Sequence, residues 1–280
     1  QGMVCHHTYK NESGDWVFPS DVEPMGKELK QLSTGRKVTE GPNEAMSKSK
    51  KNVIDPESII QNYGADSARW FMLSDSPPER DINWSLSGIQ GSWRFCQKIY
   101  TMIEENLDLF KDKNLKGENG TSSDLLRYVH QNLDEITQSI ENFQMNVAVA
   151  KIYEIVNHLS KSDKKQDGPA FKESLEILIR VIEPMIPHLA EECWYLIGKK
   201  DTLSNTPWPK VKKEYLIKEI VTIVVQVNGK RRGELKAKPG LAENEVMKKI
   251  NDIESVSNII QNKKIMKIIY VPDKIINLVV

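Results

Sequence analysis

The spacing of apolar residues changes once along this chain, and that change constrains the fold most. From Ile89 to Ile197 apolar residues recur near every 3.6 positions, the period of helices that turn one face to a core. After Ile220 the spacing becomes that of strands. Ile220 to Val227 is a β-branched run, and the Asn228-Gly229 pair behind it is a strong two-residue hairpin signal. One sequence therefore encodes at least two cores, and 280 residues are enough for two domains or three small ones.

Residues 1–40 read as short β pieces and turns. A helix is expected at 56–73, broken by Gly64, and the next from Ile89 to Leu109, with Trp93, Cys96, Ile99, Tyr100, Ile103 and Leu107 on one face. Residues 111–123 read as a polar loop. Ser123 or Asp124 is the expected N-cap of a helix striped by Leu126, Val129, Leu133, Ile136 and Ile140. Residues 144–160 give another, carried by Val147, Ala150, Ile155 and Leu159. A charged link (160–168) and helices at 170–183 and 188–197 come next. Consecutive amphipathic helices with short links predict an antiparallel bundle. Residues 199–217, with Pro207-Trp208-Pro209 and several lysines, read as a linker. Beyond it, four strands and one or two short helices at 242–261 make a small α+β module.

Composition narrows the function classes. No apolar run approaches the ~20 residues of a membrane span, and no basic stretch precedes an apolar one as in a secretory signal. Cys5, Cys96 and Cys193 are scattered, which argues against a disulfide framework or a Cys-x-x-Cys metal site. That scatter fits a reducing, cytoplasmic setting, and adjacent His6 and His7 should point apart, so no metal is expected. Formal net charge is zero but uneven: residues 210–280 hold 15 Lys and Arg against 8 Asp and Glu. A basic tail on an acidic body predicts a polyanionic partner for the tail.

The run Met46-Ser47-Lys48-Ser49-Lys50 combines hydroxyls with a compact ammonium charge, the chemistry that holds a polyphosphate. Gly41-Pro42-Asn43-Glu44-Ala45-Met46-Ser47-Lys48-Ser49-Lys50-Lys51-Asn52 resembles the Lys-Met-Ser-Lys-Ser loop of class I aminoacyl-tRNA synthetases. The spaced residues Asp55-Pro56, Tyr63 to Phe71, Asp81, Trp84-Ser85, Gly88, Gly91 and Arg94-Phe95 are similar to the segment behind that loop in the leucine, isoleucine and valine enzymes. Val225 to Gly233 and Ile268 to Val280 resemble the end of bacterial-type leucyl-tRNA synthetases, so the isoleucyl and valyl families are the nearer alternatives. A free-standing RNA-binding module is the distant one.

The resemblance implies a multidomain, mainly α chain. A truncated α/β catalytic remnant would occupy 1–88 and an antiparallel helical bundle of anticodon-binding type 89–198. The linker would span 199–217, and a C-terminal α+β tRNA-contacting domain 218–280. It implies a ligase that activates leucine with ATP and Mg²⁺ and passes it to tRNA(Leu), acting as a monomer. Lys48 matches the catalytic lysine, and Met46, Ser47, Lys48 and Ser49 match the positions on the ATP phosphates. Ala45 stands where the family has its first lysine; Lys50 and Lys51 read as solvated surface, with replacement of that missing cation as the alternative. The hairpin tip with Asn228, Lys230, Arg231 and Arg232 would contact tRNA phosphate and sugar. Phe143, Ala148 and Leu189 read as core residues and His188 as a helix-start group. No His-x-Gly-His run, Gly-rich βα turn or editing domain is visible. The chain is therefore expected to be the C-terminal part of a longer one, unable to activate leucine alone, with a mobile loop at 45–50.

Overall fold

The computed structural model describes all residues except 1, 27, 113–120, 163–166, 217–220, 262 and 264, and leaves the side chains of 121–123 undescribed. The chain divides into two compact units, Gln1–Lys212 and Lys213–Val280.

The first unit opens with β1 (Val4–Asn11), a 3-10 turn at Pro19–Asp21, β2 (Val22–Met25), β3 (Glu28–Gln31) and β4 (Lys37–Ala45). Helices α1 (Pro56–Tyr63) and α2 (Ala65–Ser74) come next, then a short β5 (Ile82–Asn83). The sheet order is β2-β3-β4-β1-β5, antiparallel except where β5 lies parallel to β1. The break at Gly64 falls where the sequence places it, since its φ of 83° is one that only glycine adopts freely. Asp55 caps α1 by accepting from the backbone N–H of Glu57 and Ser58.

The helices continue with α3 (Leu86–Glu104), α4 (Asp108–Lys111), α5 (Thr121–Glu141), α6 (Met145–Leu159), α7 (Gly168–Ile182) and α8 (Pro187–Leu196). Two stripes are shifted from expectation. In α6 the buried arc is Ala148, Val149, Ile152, Ile155, Val156 and Leu159, while Val147 is 38% exposed. In α3 it includes Ile89, Phe95, Cys96, Ile99, Met102 and Ile103, while Trp93 faces out. Helix α5 begins at Thr121, so Asp124 sits in its first turn rather than at its cap. There its charge still favours the helix N-terminus. The expected polar loop at 111–123 lies largely outside the described residues, as do 163–166 of the charged link at 160–168 and Ile220.

The expected boundary at 88/89 is bridged by packing. Trp70 of α2 is fully buried, stacks on Phe95 of α3 at 5.1 Å and donates its indole N–H to Tyr153 of α6 at 3.0 Å. Asp66 of α2 accepts from the Leu189 backbone N–H at 2.7 Å, an anion on the N-terminus of α8. Cys5, Cys96 and Cys193 are all buried and unpaired. Burial pushes the Cys96 thiol to about 11 and that of Cys193 to about 12.

Much of the expected linker is packed structure. Trp194 donates its indole N–H to Asp201 O at 3.1 Å, and Glu191 accepts from the backbone N–H groups of Leu203 and Ser204. Leu203 is buried, and Trp208 donates to the Thr137 hydroxyl of α5 at 2.9 Å. The Lys212 N–H reaches His130 Nδ1 at 3.3 Å, and its ammonium reaches Glu173 at 2.5 Å. Residues 199–212 thus form a strap on the helices. They read as linker because prolines and lysines dominate locally, whereas the two anchoring indoles find their partners only in tertiary structure.

The second unit starts with a 3-10 turn at Lys213–Leu216. It continues with β6 (Val221–Val227), β7 (Lys230–Ala237), α9 (Glu243–Ile250), α10 (Glu254–Ile260), β8 (Lys267–Val271) and β9 (Ile275–Val279). The sheet order is β7-β6-β9-β8, with β6 and β9 parallel at its centre. Val221, Ile223, Val225, Val227, Ile276 and Leu278 alternate inward and meet Val246, Ile250 and Val256 of the two helices.

Candidate functional site

Strand β4 delivers the loop that contains Lys48. The Met46 N–H donates to Val4 O at 2.9 Å, which carries the pairing with β1 one residue past the strand. Asn52 closes the loop and is fully buried. Its Oδ1 accepts from the Ser47 N–H at 2.8 Å, and its amide N–H groups are shared among His6 O, Glu44 O and Ala45 O at 3.1, 3.2 and 3.4 Å. One side chain thus satisfies both ends of the loop and the strand beneath it. A neutral amide does this without bringing a charge that would compete with an anion. The Ser47 and Ser49 hydroxyls lie 2.8 Å apart, and Lys51 turns the chain back with φ of 54°.

Lys48 is exposed and lines a cleft of about 880 Å³ together with His6, Tyr9, Phe18, Asp55 and Trp84. Burial draws the His6 imidazole below its ordinary value, which favours the neutral ring at neutral pH. His7 points elsewhere, with Nδ1 2.9 Å from Glu40, so the two rings share no ligand. Among the described residues, no group of three or more His, Cys, Asp or Glu side chains could hold a metal ion.

The other loop cations are placed differently. Lys50 is ion-paired with Glu44, whereas the Lys51 ammonium lies 5.4 Å over the ring of Phe18 in the cleft wall. Ala45 pairs in register with Cys5. The Met46 N–H is taken by Val4, and its side chain borders an apolar pocket with Ile54, Ile59, Ala68, Met72 and Trp84. It anchors the loop, while Ser47, Lys48 and Ser49 bring its hydroxyls and an exposed ammonium.

In the second unit the hairpin turn has φ of 50° at Asn228 and 75° at Gly229, the left-handed pair of a type I′ turn. Lys230, Arg231 and Arg232 are all exposed. Register passes from Gln226↔Arg231 to Val225↔Gly233, so Arg232 is the extra residue of a bulge. Its carbonyl accepts from the Ser255 hydroxyl at 2.6 Å. A Cβ at Gly233 would stand 3.0 Å from Ile253 Cγ2, a tight approach that a larger residue could take only if that methyl gave way by a few tenths of an ångström. Arg231 is ion-paired with Glu234. The Oδ1 of Asn228 accepts from the Val280 N–H at 3.0 Å and its Nδ2 donates to Val280 O at 3.2 Å. The exposed amide ties the turn to Val280 beside the three cations.

A family model described as the anticodon-binding domain of tRNA ligase matches residues 123–265, just over half of the chain. The chain belongs to that family. A second model, tRNA synthetases class I (I, L, M and V), matches residues 30–85 and so includes the Lys48 loop. The leucine--tRNA ligase of Parvibaculum lavamentivorans is 43% identical over 100% of this chain and 33% of the relative. That of Wolbachia pipientis subsp. Culex pipiens is 42% identical over the same shares. The chain spans about a third of the length of the curated relatives it matches. A crystal structure of an Agrobacterium radiobacter K84 LeuRS, in a ternary complex with tRNA and LeuAMS, matches with a TM-score of 0.76. It is 28% identical and covers 84% of this chain and 30% of that one.

For a chain of the anticodon-binding family, four residues hold roles that sequence reading does not assign. Asn52 and Asp66 stand there only as flanking motif positions, and Glu191 as part of a helix. Phe143, expected in the core, is 71% exposed with φ of 57°. A single sequence signals none of these roles, because each depends on a partner distant in the chain or on a backbone conformation.

Proposed function

We propose that this chain is part of a leucine--tRNA ligase, supplying the loop that handles the ATP phosphates and surfaces that bind tRNA(Leu). The observation that carries the reading is Lys48, held at the lip of a large cleft by a loop that one buried asparagine closes from within. Activation joins the leucine carboxylate to the α-phosphate of ATP and expels pyrophosphate. Negative charge grows on the phosphates as the bond breaks, so a cation and hydroxyl donors fixed there lower the barrier. Lys48 supplies the charge, and Ser47 and Ser49 supply hydroxyl donors. Mg²⁺ enters with ATP as a substrate complex. The exposed cations Lys230, Arg231 and Arg232 bind tRNA phosphates independently of sequence. The reading implies a cytoplasmic monomer, and no helix among the described residues is long and apolar enough to cross a membrane.

The 280 residues alone are expected to show no leucine-dependent ATP–pyrophosphate exchange, since their sequence shows no Gly-rich run of a nucleotide-binding βα turn. Exchange by the isolated chain would overturn that division of labour. In an active ligase that contains this segment, Lys48→Ala should lower exchange about 10²–10³-fold while leaving tRNA affinity unchanged. Exchange within twofold of the parent would remove Lys48 from the chemistry.

A further inference from the structure

The turn between α5 and α6 contains a residue that the fold itself does not favour. Helix α5 ends in a Schellman motif: the Gln144 N–H donates to Ser139 O at 2.7 Å and the Phe143 N–H to Ile140 O at 3.0 Å. Phe143 occupies the left-handed position of that motif, with φ of 57°. Glycine dominates such positions because a Cβ is strained there. A bulky aromatic in that conformation is an outlier. Burial could offset the strain, but the Phe143 side chain is 71% exposed. Its ring therefore gives the folded chain strain without burial. Backbone outliers of this kind persist where a function uses the side chain.

We infer that Phe143 is a stacking platform for an unpaired nucleobase of the RNA that this chain binds; the inference rests on the tRNA reading above. Three observations select a base rather than a phosphate. The side chain is 71% exposed on a helix cap closed by two backbone hydrogen bonds. The flanking Asn142 and Gln144 are exposed amides, able to meet base edges. No Lys or Arg occurs from residue 128 to residue 150, whereas Asp134, Glu135 and Glu141 do. Phosphate attraction is therefore not what this turn offers. A base stacked on an aromatic ring needs no counter-charge, and every base has a face to stack.

The test exploits opposite signs. Phe143→Gly relieves the backbone, so the melting temperature of the helical unit should hold or rise by about 2 °C, while affinity of the 280-residue chain for a leucine tRNA transcript falls about tenfold. Phe143→Trp should keep the affinity. The loss from Phe143→Gly should be the same at 50 and 200 mM salt. It should appear with an unstructured RNA 12-mer and vanish with an RNA duplex. A control with Lys230, Arg231 and Arg232 all changed to Ala should lose affinity in a salt-dependent way. Affinity of Phe143→Gly within twofold of the parent, with the control still impaired, overturns the stacking role alone. A variant both less stable and weaker in binding overturns it in favour of a structural residue. No binding of tRNA by the parent chain overturns this inference and the tRNA reading together.

Discussion

Each of the two units carries a cationic loop held by an asparagine, and the two asparagines work in different ways. Asn52 is fully buried and spends its amide on four backbone groups, from His6 to Ser47. Asn228 is exposed, adopts the left-handed conformation itself and ties the hairpin to Val280. The first arrangement fixes where a charge stands relative to a cleft, which suits the proposed role at one phosphorus atom. The second fixes only the shape of a turn, which suits the proposed contact with a diffuse row of phosphates. On that proposal, chemistry calls for a buried scaffold, and electrostatic docking accepts a surface clamp.

The comparison breaks or sharpens in a definite order. Asn52→Ala takes the partner from the part-buried Ser47 N–H and three carbonyls and leaves a gap at a fully buried site, and should destabilise the first unit by about 3 kcal/mol in urea titrations. A loss under 1 kcal/mol would mean the loop is held by something else. Next comes the strap. Hydrogen bonding from His130, with Lys212 beside it, holds the Glu173 carboxyl at about 2, well below its usual value of 4.5. A lowered carboxylate stabilises the fold above its unfolded value, and that gain is lost as pH falls from about 4.5 towards 2. Glu173 is about one-third exposed, so Glu173→Gln should cost only about 1–2 kcal/mol at pH 6. The difference from the parent should shrink at pH 3, as followed by urea midpoints at both pH values. A gap that stays constant with pH would assign the effect to packing.

Asn228→Ala removes the clamp and strains the turn, and should destabilise only the second unit, by about 1 kcal/mol. Separate melting of the two units reports this, and an equal effect on both would contradict the division at Lys212. The smallest stability change is expected at the tip itself. Replacing Lys230, Arg231 and Arg232 by Ala should move stability by less than about 0.5 kcal/mol while lowering the slope of tRNA affinity against salt by about 2–3. An unchanged salt slope would take the tip out of the RNA interface.

What can be read from the sequence depends on how local each cause is. The Asn228-Gly229 turn is legible because two residues set its dihedral angles. The break at Gly64 is legible for the same reason. The Met46 to Asn52 loop is legible through resemblance, but the task of Asn52 is not, since one of its acceptors is 46 residues away. Phe143 reads as core because aromatic residues usually are, and nothing short of its dihedral angle says otherwise. Trp208 misleads in the opposite direction. Flanked by prolines it looks like linker, and only the Thr137 hydroxyl on α5 shows it to be an anchor.

The strap also tells a protease, or an experimenter, where this molecule can be divided. A cut after Gly198, two residues past α8, would orphan the indole N–H of Trp194 and carry off the buried Leu203 and the half-buried Trp208, which anchor on the helices. A cut after Lys212 leaves each half with the side chains that its own interior was built around. The natural seam lies sixteen residues beyond the end of α8.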